Sequence, residues 1–161
     1  MTPSEPAPSR MTRVSRRVAV PRAVVYAALL EPAAVAAWTV PDGMSGHVHE
    51  YDARENGRFR ITLTYEAPGE TGKTTARSDT YHGRFVRLVP DELVVQVLEF
   101  ETDDSSMQGE MTITLRLSDA PGGGTDLVAE HGRLPPGLPV ADNELGWRLS
   151  LEKLARLLSS P

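Results

Sequence analysis

The chain has 161 residues, no cysteine and a formal net charge of −5 at pH 7. That length suits one domain, able to bury about 70% of the surface its unfolded form exposes. Without cysteine, disulfides, thiolate nucleophiles and cysteine-ligated zinc are excluded and a cytoplasmic setting is expected; the acidic balance and lack of a Lys/Arg-rich run argue against nucleic acid or an acidic membrane as partner.

Met1 to Arg10 holds prolines and small residues but no apolar stretch of the secretory-signal kind, so residues 1–11 are expected to form a disordered tail and residues 12–161 a single domain. The longest apolar run, Ala23 to Leu30, is far short of the roughly 20 residues that span a bilayer. Val14 to Val20 gives a modest strand signal that Pro21 ends, because a proline ring cannot donate to a ladder. Pro21 also suits a first helical turn; Val24, Val25, Ala28 and Leu29 supply an apolar stripe, and Pro32 starts a second short helix that runs to Trp38.

From Met44 the period becomes strand-like. Asn56-Gly57 lies between two extended runs, the strongest short hairpin signal, and joins strand two to strand three. Phe59, Ile61, Leu63 and Tyr65 alternate with Arg58, Arg60, Thr62 and Thr64, which suits a sheet with one buried and one wet face. Glu66 to Lys73 reads as a polar loop. Ser78 to Val89 and Leu93 to Glu101 make two more strands, joined at Pro90-Asp91-Glu92. After a loop from Thr102 to Gln108, Met111, Ile113, Leu115 and Leu117 alternate with Thr112, Thr114, Arg116 and Ser118.

The turn Asp119 to Gly124 leads into Thr125 to His131, where Leu127, Ala129 and His131 share one face and set a histidine in an inward apolar row. Gly132 to Pro139 is rich in proline and reads as a rigid connector. Trp147, Leu151, Leu154 and Leu158 then recur at spacings of four, three and four, one side of a closing helix, with Asp142 or Asn143 as cap. Arg148, Glu152, Lys153 and Arg156 on the other side make that helix amphipathic and place it over a sheet. Leu145 and Leu149 lie toward its back, as the fringe of a broad core or as a dimer contact.

Candidate chemistry is sparse. Ala67 to Thr74 ends in Gly-Lys-Thr like a phosphate-binding loop, but the next residues lead to a strand where such a loop needs a helix N-terminus. His47 and His49 offer only two imidazoles, which would need His82 or His131 to complete a metal site. Glu99 with Glu101 and Asp103 with Asp104 are paired acids of unknown separation. No serine-nucleophile motif or dinucleotide fingerprint is present, so no catalytic residue, metal or cofactor is expected. His131, Tyr65 and Tyr81 stand out as polar groups on inward faces. Each is either a core group bonded to backbone or part of a cavity whose few polar atoms orient an apolar guest.

Particular words in the sequence carry a resemblance. They are Val20-Pro21 with Val25-Tyr26, Trp38 followed by Pro41-Asp42-Gly43, Asp52 to Phe59, Tyr81-His-Gly-Arg-Phe85 with Val89-Pro90, His131 to Gly137, Gly146-Trp147, and Leu151 to Leu154. Spanning about residues 12 to 158, they resemble the activator of heat-shock protein 90 ATPase homologue family of the START-like (SRPBCC) helix-grip superfamily. The resemblance implies an α+β fold in which a curved antiparallel sheet of about seven strands grips a long C-terminal helix, with two short helices after strand one. It also implies an apolar cavity between sheet and helix, around which Trp38, Phe59, Tyr65, Tyr81, Met111, His131, Trp147 and Leu151 are placed as ligand-binding residues. The expected function is binding of a lipid-like or aromatic, polyketide-like molecule. Its rivals are a cyclase or aromatase using His131 as general base, and a stress-linked module that contacts a chaperone. A homodimer is the other assembly left open.

Overall fold

The computed structural model describes residues 10–66 and 78–159. Seven antiparallel strands form one sheet: β1 (Met11–Val18), β2 (Met44–Tyr51), β3 (Arg58–Tyr65), β4 (Ser78–Val89), β5 (Leu93–Phe100), β6 (Met111–Asp119) and β7 (Thr125–Gly132). Their spatial order is β1-β7-β6-β5-β4-β3-β2. Two short helices, α1 (Arg22–Leu30) and α2 (Pro32–Thr39), follow β1, and α3 (Val140–Ser159) closes the chain. This is the expected α+β helix-grip architecture, with a curved sheet around the final helix.

The alternation in sequence becomes two faces. Met111, Ile113, Leu115 and Leu117 on β6, and Thr125, Leu127, Ala129 and His131 on β7, are all buried. Leu151 and Leu154 on α3 are fully enclosed, each worth about 1.5–3 kcal/mol relative to exposure. α3 packs against β1 and α2. Lys153 pins its middle, donating to the Val40 carbonyl at 2.5 Å and pairing with Asp42 at 2.8 Å.

Glycine is required where backbones meet. A Cβ on Gly57 would lie 1.9 Å from the Asp52 carbonyl oxygen, and one on Gly83 would lie 2.0 Å from that of Val97 and 2.7 Å from the Phe59 ring. Asn56, at φ 67°, sits within the β2–β3 connection, which spans residues 52–57 instead of making a two-residue turn. That connection is sewn to β4: the Asn56 N–H donates to the Phe85 carbonyl at 2.8 Å, and the Phe85 N–H to that of Gly57 at 2.9 Å.

Several boundaries differ from the sequence reading. β1 starts at Met11, so Arg10 and Met11 belong to the fold and not to a tail. The Arg10 guanidinium donates to the carbonyls of Pro135 and Leu138, holding the connector down. α3 begins at Val140, ahead of both candidate caps; Asp142 lies in its first turn. Leu145 and Leu149 are 56% and 52% exposed, so they are not a fringe of the core. The Gly-Lys-Thr segment, and all of the expected polar loop beyond Glu66, lie outside the described residues.

Candidate functional site

Between the concave face of the sheet and α3 lies a cavity of about 560 Å³. Interiors pack nearly as densely as organic crystals, so an unfilled volume of this size is a feature of the design and not slack. β3, β4, β5 and β6 supply its apolar wall, including Phe59, Ile61, Leu98 and Ile113; α2 supplies Val35 and Trp38, and α3 supplies Trp147 and Ser150.

The end formed by α1 and α2 is held by two aromatic side chains. Trp38 Nε1 donates to the Ala28 carbonyl at 3.0 Å, and the Tyr51 hydroxyl donates to that of Leu29 at 2.9 Å. Carbonyls in the last turn of a helix have no partner within the helix, so both bonds satisfy α1 while fixing the rings. Tyr51 and Phe59 then meet Phe85 edge-on, at 5.4 and 5.5 Å, and Tyr81 meets Phe59 edge-on at 6.5 Å. Burial raises the hydroxyl pKa of both Tyr51 and Tyr81 above the ordinary tyrosine value, so both remain neutral donors.

At the opposite end His131 is 6% exposed. Trp147 Nε1 donates to His131 Nδ1 at 3.0 Å, and the Asn143 amide nitrogen approaches the same atom at 3.2 Å. An indole nitrogen is a donor only, so Nδ1 must hold a lone pair and the neutral ring must carry its proton on Nε2. Nε2 faces Met111 Sδ at 3.3 Å, a weak acceptor. Burial lowers the His131 pKa to about 4, which keeps the ring uncharged near neutral pH.

Of the sequence-predicted positions, Trp38, Phe59, Tyr81, Met111, His131 and Trp147 border this cavity, whereas Tyr65 and Leu151 are not part of its lining. Leu151 faces the core and is fully buried; Tyr65, the last residue of β3, lies past the cavity's edge. The lining also holds polar residues that the sequence analysis does not assign to the cavity, among them Tyr51, Asp79, Gln96 and Asn143. Asp79 is 2% exposed and shares the inward face of β4 with Tyr81, a placement the period-two rule could have given. Asn143 reads as a cap in sequence, but its amide turns to His131.

The other candidates lie apart. His47 and His49 are exposed, with ring centroids 4.4 Å apart, and His49 Nε2 meets Thr62 Oγ1 at 2.8 Å. His131 faces the cavity, so it does not complete a metal site with them. His82 instead sits between Glu99 and Glu101, 3.1 Å from each. Arg60 grips Glu101 through two hydrogen bonds, and chiefly for that reason the Glu101 pKa falls to about 2. Among the described residues no group of three or more His, Asp or Glu is arranged to hold a metal. Nor is any described helix long and apolar enough to cross a membrane.

The fold has close relatives among solved structures. A protein from Chromobacterium violaceum superposes with a TM-score of 0.82 at 30% identity, covering 94% of this chain and 99% of its own. One from Rhodobacter sphaeroides gives 0.76 at 20% identity, covering 93% and 92%, and the AHSA1 protein of Silicibacter pomeroyi gives 0.72 at 23% identity, covering 92% and 97%. No curated protein matches the chain. The family model described as "Activator of Hsp90 ATPase homolog 1-like protein" matches residues 19–159. With that match over most of its length, and with the gripped helix seen in its structure, the chain belongs to the Hsp90 ATPase activator homologue family of START-like proteins.

Proposed function

We propose that the protein binds an apolar or aromatic small molecule in the cavity between the sheet and α3. The observation that carries this reading is the cavity itself: about 560 Å³, walled mainly by apolar and aromatic side chains, with polar groups in the minority. That volume falls in the range of small-molecule sites. Lining atoms that face a void forgo dispersion contacts, and a guest of matching shape restores them.

His131 is poorly suited to be the general base of a cyclase-like enzyme. The Nδ1 lone pair is taken by Trp147, Nε2 carries the proton, and a pKa of about 4 makes a weak base at neutral pH. The same arrangement suits a fixed hydrogen-bond donor, the part a binding site requires.

The test is titration with the uncharged dye Nile red, followed by fluorescence, beside native mass spectrometry of the purified protein. Saturable binding to the wild type is expected, and its loss in Ile113→Trp, where the larger ring fills the cavity. Absence of binding in the wild type, or full binding in a folded Ile113→Trp, would refute the reading.

A further inference from the structure

Which guest the cavity accepts is written in its polar atoms and in the charges it lacks. The inference rests on the binding reading above and specifies its ligand.

At the α3 end, His131 Nε2–H meets no acceptor better than the Met111 sulfur. Beside it, Asn143 Oδ1 is buried and has no hydrogen-bond partner. Buried polar atoms are nearly always satisfied, so an orphan on a residue that lines the cavity points to a partner that comes with the guest. Nδ2 of the same amide is already directed to His131 Nδ1, which fixes the orientation and leaves oxygen as the unpartnered atom. The site therefore offers a donor and an acceptor close together, both attached to rigidly held side chains.

Charge narrows the class further. Among the described lining residues there is no lysine or arginine, while Asp79, Asp104 and Asp142 are all present. Asp104 and Asp142 are exposed at the rim, and Asp104 is kept anionic there by its hydrogen bonds to Ser106. A carboxylate entering here would lose its hydration, pass two like charges, and meet no lysine or arginine among the described lining residues.

We propose that the ligand is an uncharged molecule whose apolar or aromatic body ends in a carbonyl with a neighbouring N–H or O–H, as in a carboxamide or hydroxy-ketone. The carbonyl oxygen accepts from His131 Nε2–H and the neighbouring donor bonds to Asn143 Oδ1; free carboxylic acids, ionised at neutral pH, are rejected.

The experiment compares four probes of one body, 2-naphthamide, methyl 2-naphthoate, 2-naphthoate and 2-methylnaphthalene, by displacement of Nile red from the wild-type protein at pH 7.5. The amide should bind about tenfold more tightly than the ester, one net hydrogen bond, and the carboxylate should not compete. Asn143→Leu should erase the amide–ester difference, and in ¹⁵N NMR of the wild type the His131 Nε2–H resonance should move on adding the amide alone among amide and carboxylate. Equal affinity for carboxylate and amide overturns the proposal, as does equal affinity for amide and methylnaphthalene, while both results leave the binding reading in place. If none of the four competes although Nile red binds, the polar-head assignment falls by itself; if Nile red does not bind, the cavity reading falls first.

Discussion

Replacing His131 with glutamine should flatten the acid side of the protein's stability profile. Burial lowers the imidazole pKa from its ordinary 6.5 to about 4, because charging the ring would strip it of water and set it against the Trp147 N–H. The folded state thus refuses a proton that the unfolded chain accepts between those values, and stability falls as pH falls wherever the unfolded state binds more protons. The contribution is complete above about pH 6.5 and lost by about pH 4, a change on the order of 3 kcal/mol in all. Between pH 7.5 and 5 it amounts to about 2 kcal/mol. Glu101, with a pKa of about 2, also loses its stabilising effect in acid, but only below the ordinary carboxylate pKa and equally in both proteins. Urea midpoints of wild type and His131→Gln, measured at pH 7.5, 6 and 5, should diverge by that amount, with the variant less sensitive to acid. Parallel profiles, or an NMR titration placing His131 near 6.5, would refute the buried, neutral ring and with it the tautomer on which the ligand assignment depends.

Trp147→Phe keeps an aromatic ring on α3 but removes the indole donor; a loss of about 1 kcal/mol is expected, with both imidazole tautomers visible by ¹⁵N NMR, and an unchanged single tautomer would show that Trp147 does not set it. Gly83→Ala should destabilise by about 1–3 kcal/mol or more, since its methyl would meet the Val97 carbonyl and the Phe59 ring; thermal melting checks this. Leu154→Ala, at a fully buried site, should cost about 2–5 kcal/mol, whereas Leu145→Ala on the exposed side of the same helix should stay within about 0.5 kcal/mol. The reverse order of costs in urea unfolding would mean that the two faces of α3 have been exchanged, and equal costs would refute the one-sided burial of the helix.

Most of the framework can be read from the chain because the period-two pattern acts locally. Met111 to Leu117 and Leu127 to His131 announce their inward faces without reference to any other segment. The site is less legible, since a cavity depends on what is absent between elements. Leu151 shares a helical stripe with Trp147, and spacing alone does not tell which of the two lies over empty space and which over packed side chains. Asn143 illustrates a second limit: the small amide that caps a helix is the same group that can bond a histidine, and only the register of α3, begun at Val140, decides. Asp79 gives no local signal of its burial, because an acidic residue near a polar loop is ordinarily solvated. Strand boundaries moved for a simpler reason: Met11 and Thr12 are recruited by pairing with Gly132 and His131, a long-range partnership that no local window contains.

That partnership also bears on the order in which the protein assembles. From β2 to β7 each strand lies beside its neighbour in sequence, so this meander can zip from short closures. β1 alone waits for a strand made near the other terminus, Val18 opposite Thr125, and its pairing carries the largest loop-closure entropy in the sheet. Non-local contacts of this kind slow folding. Within this sheet, the strand that is earliest in sequence therefore cannot pair until β7 has been made, and until then its edge is unpaired.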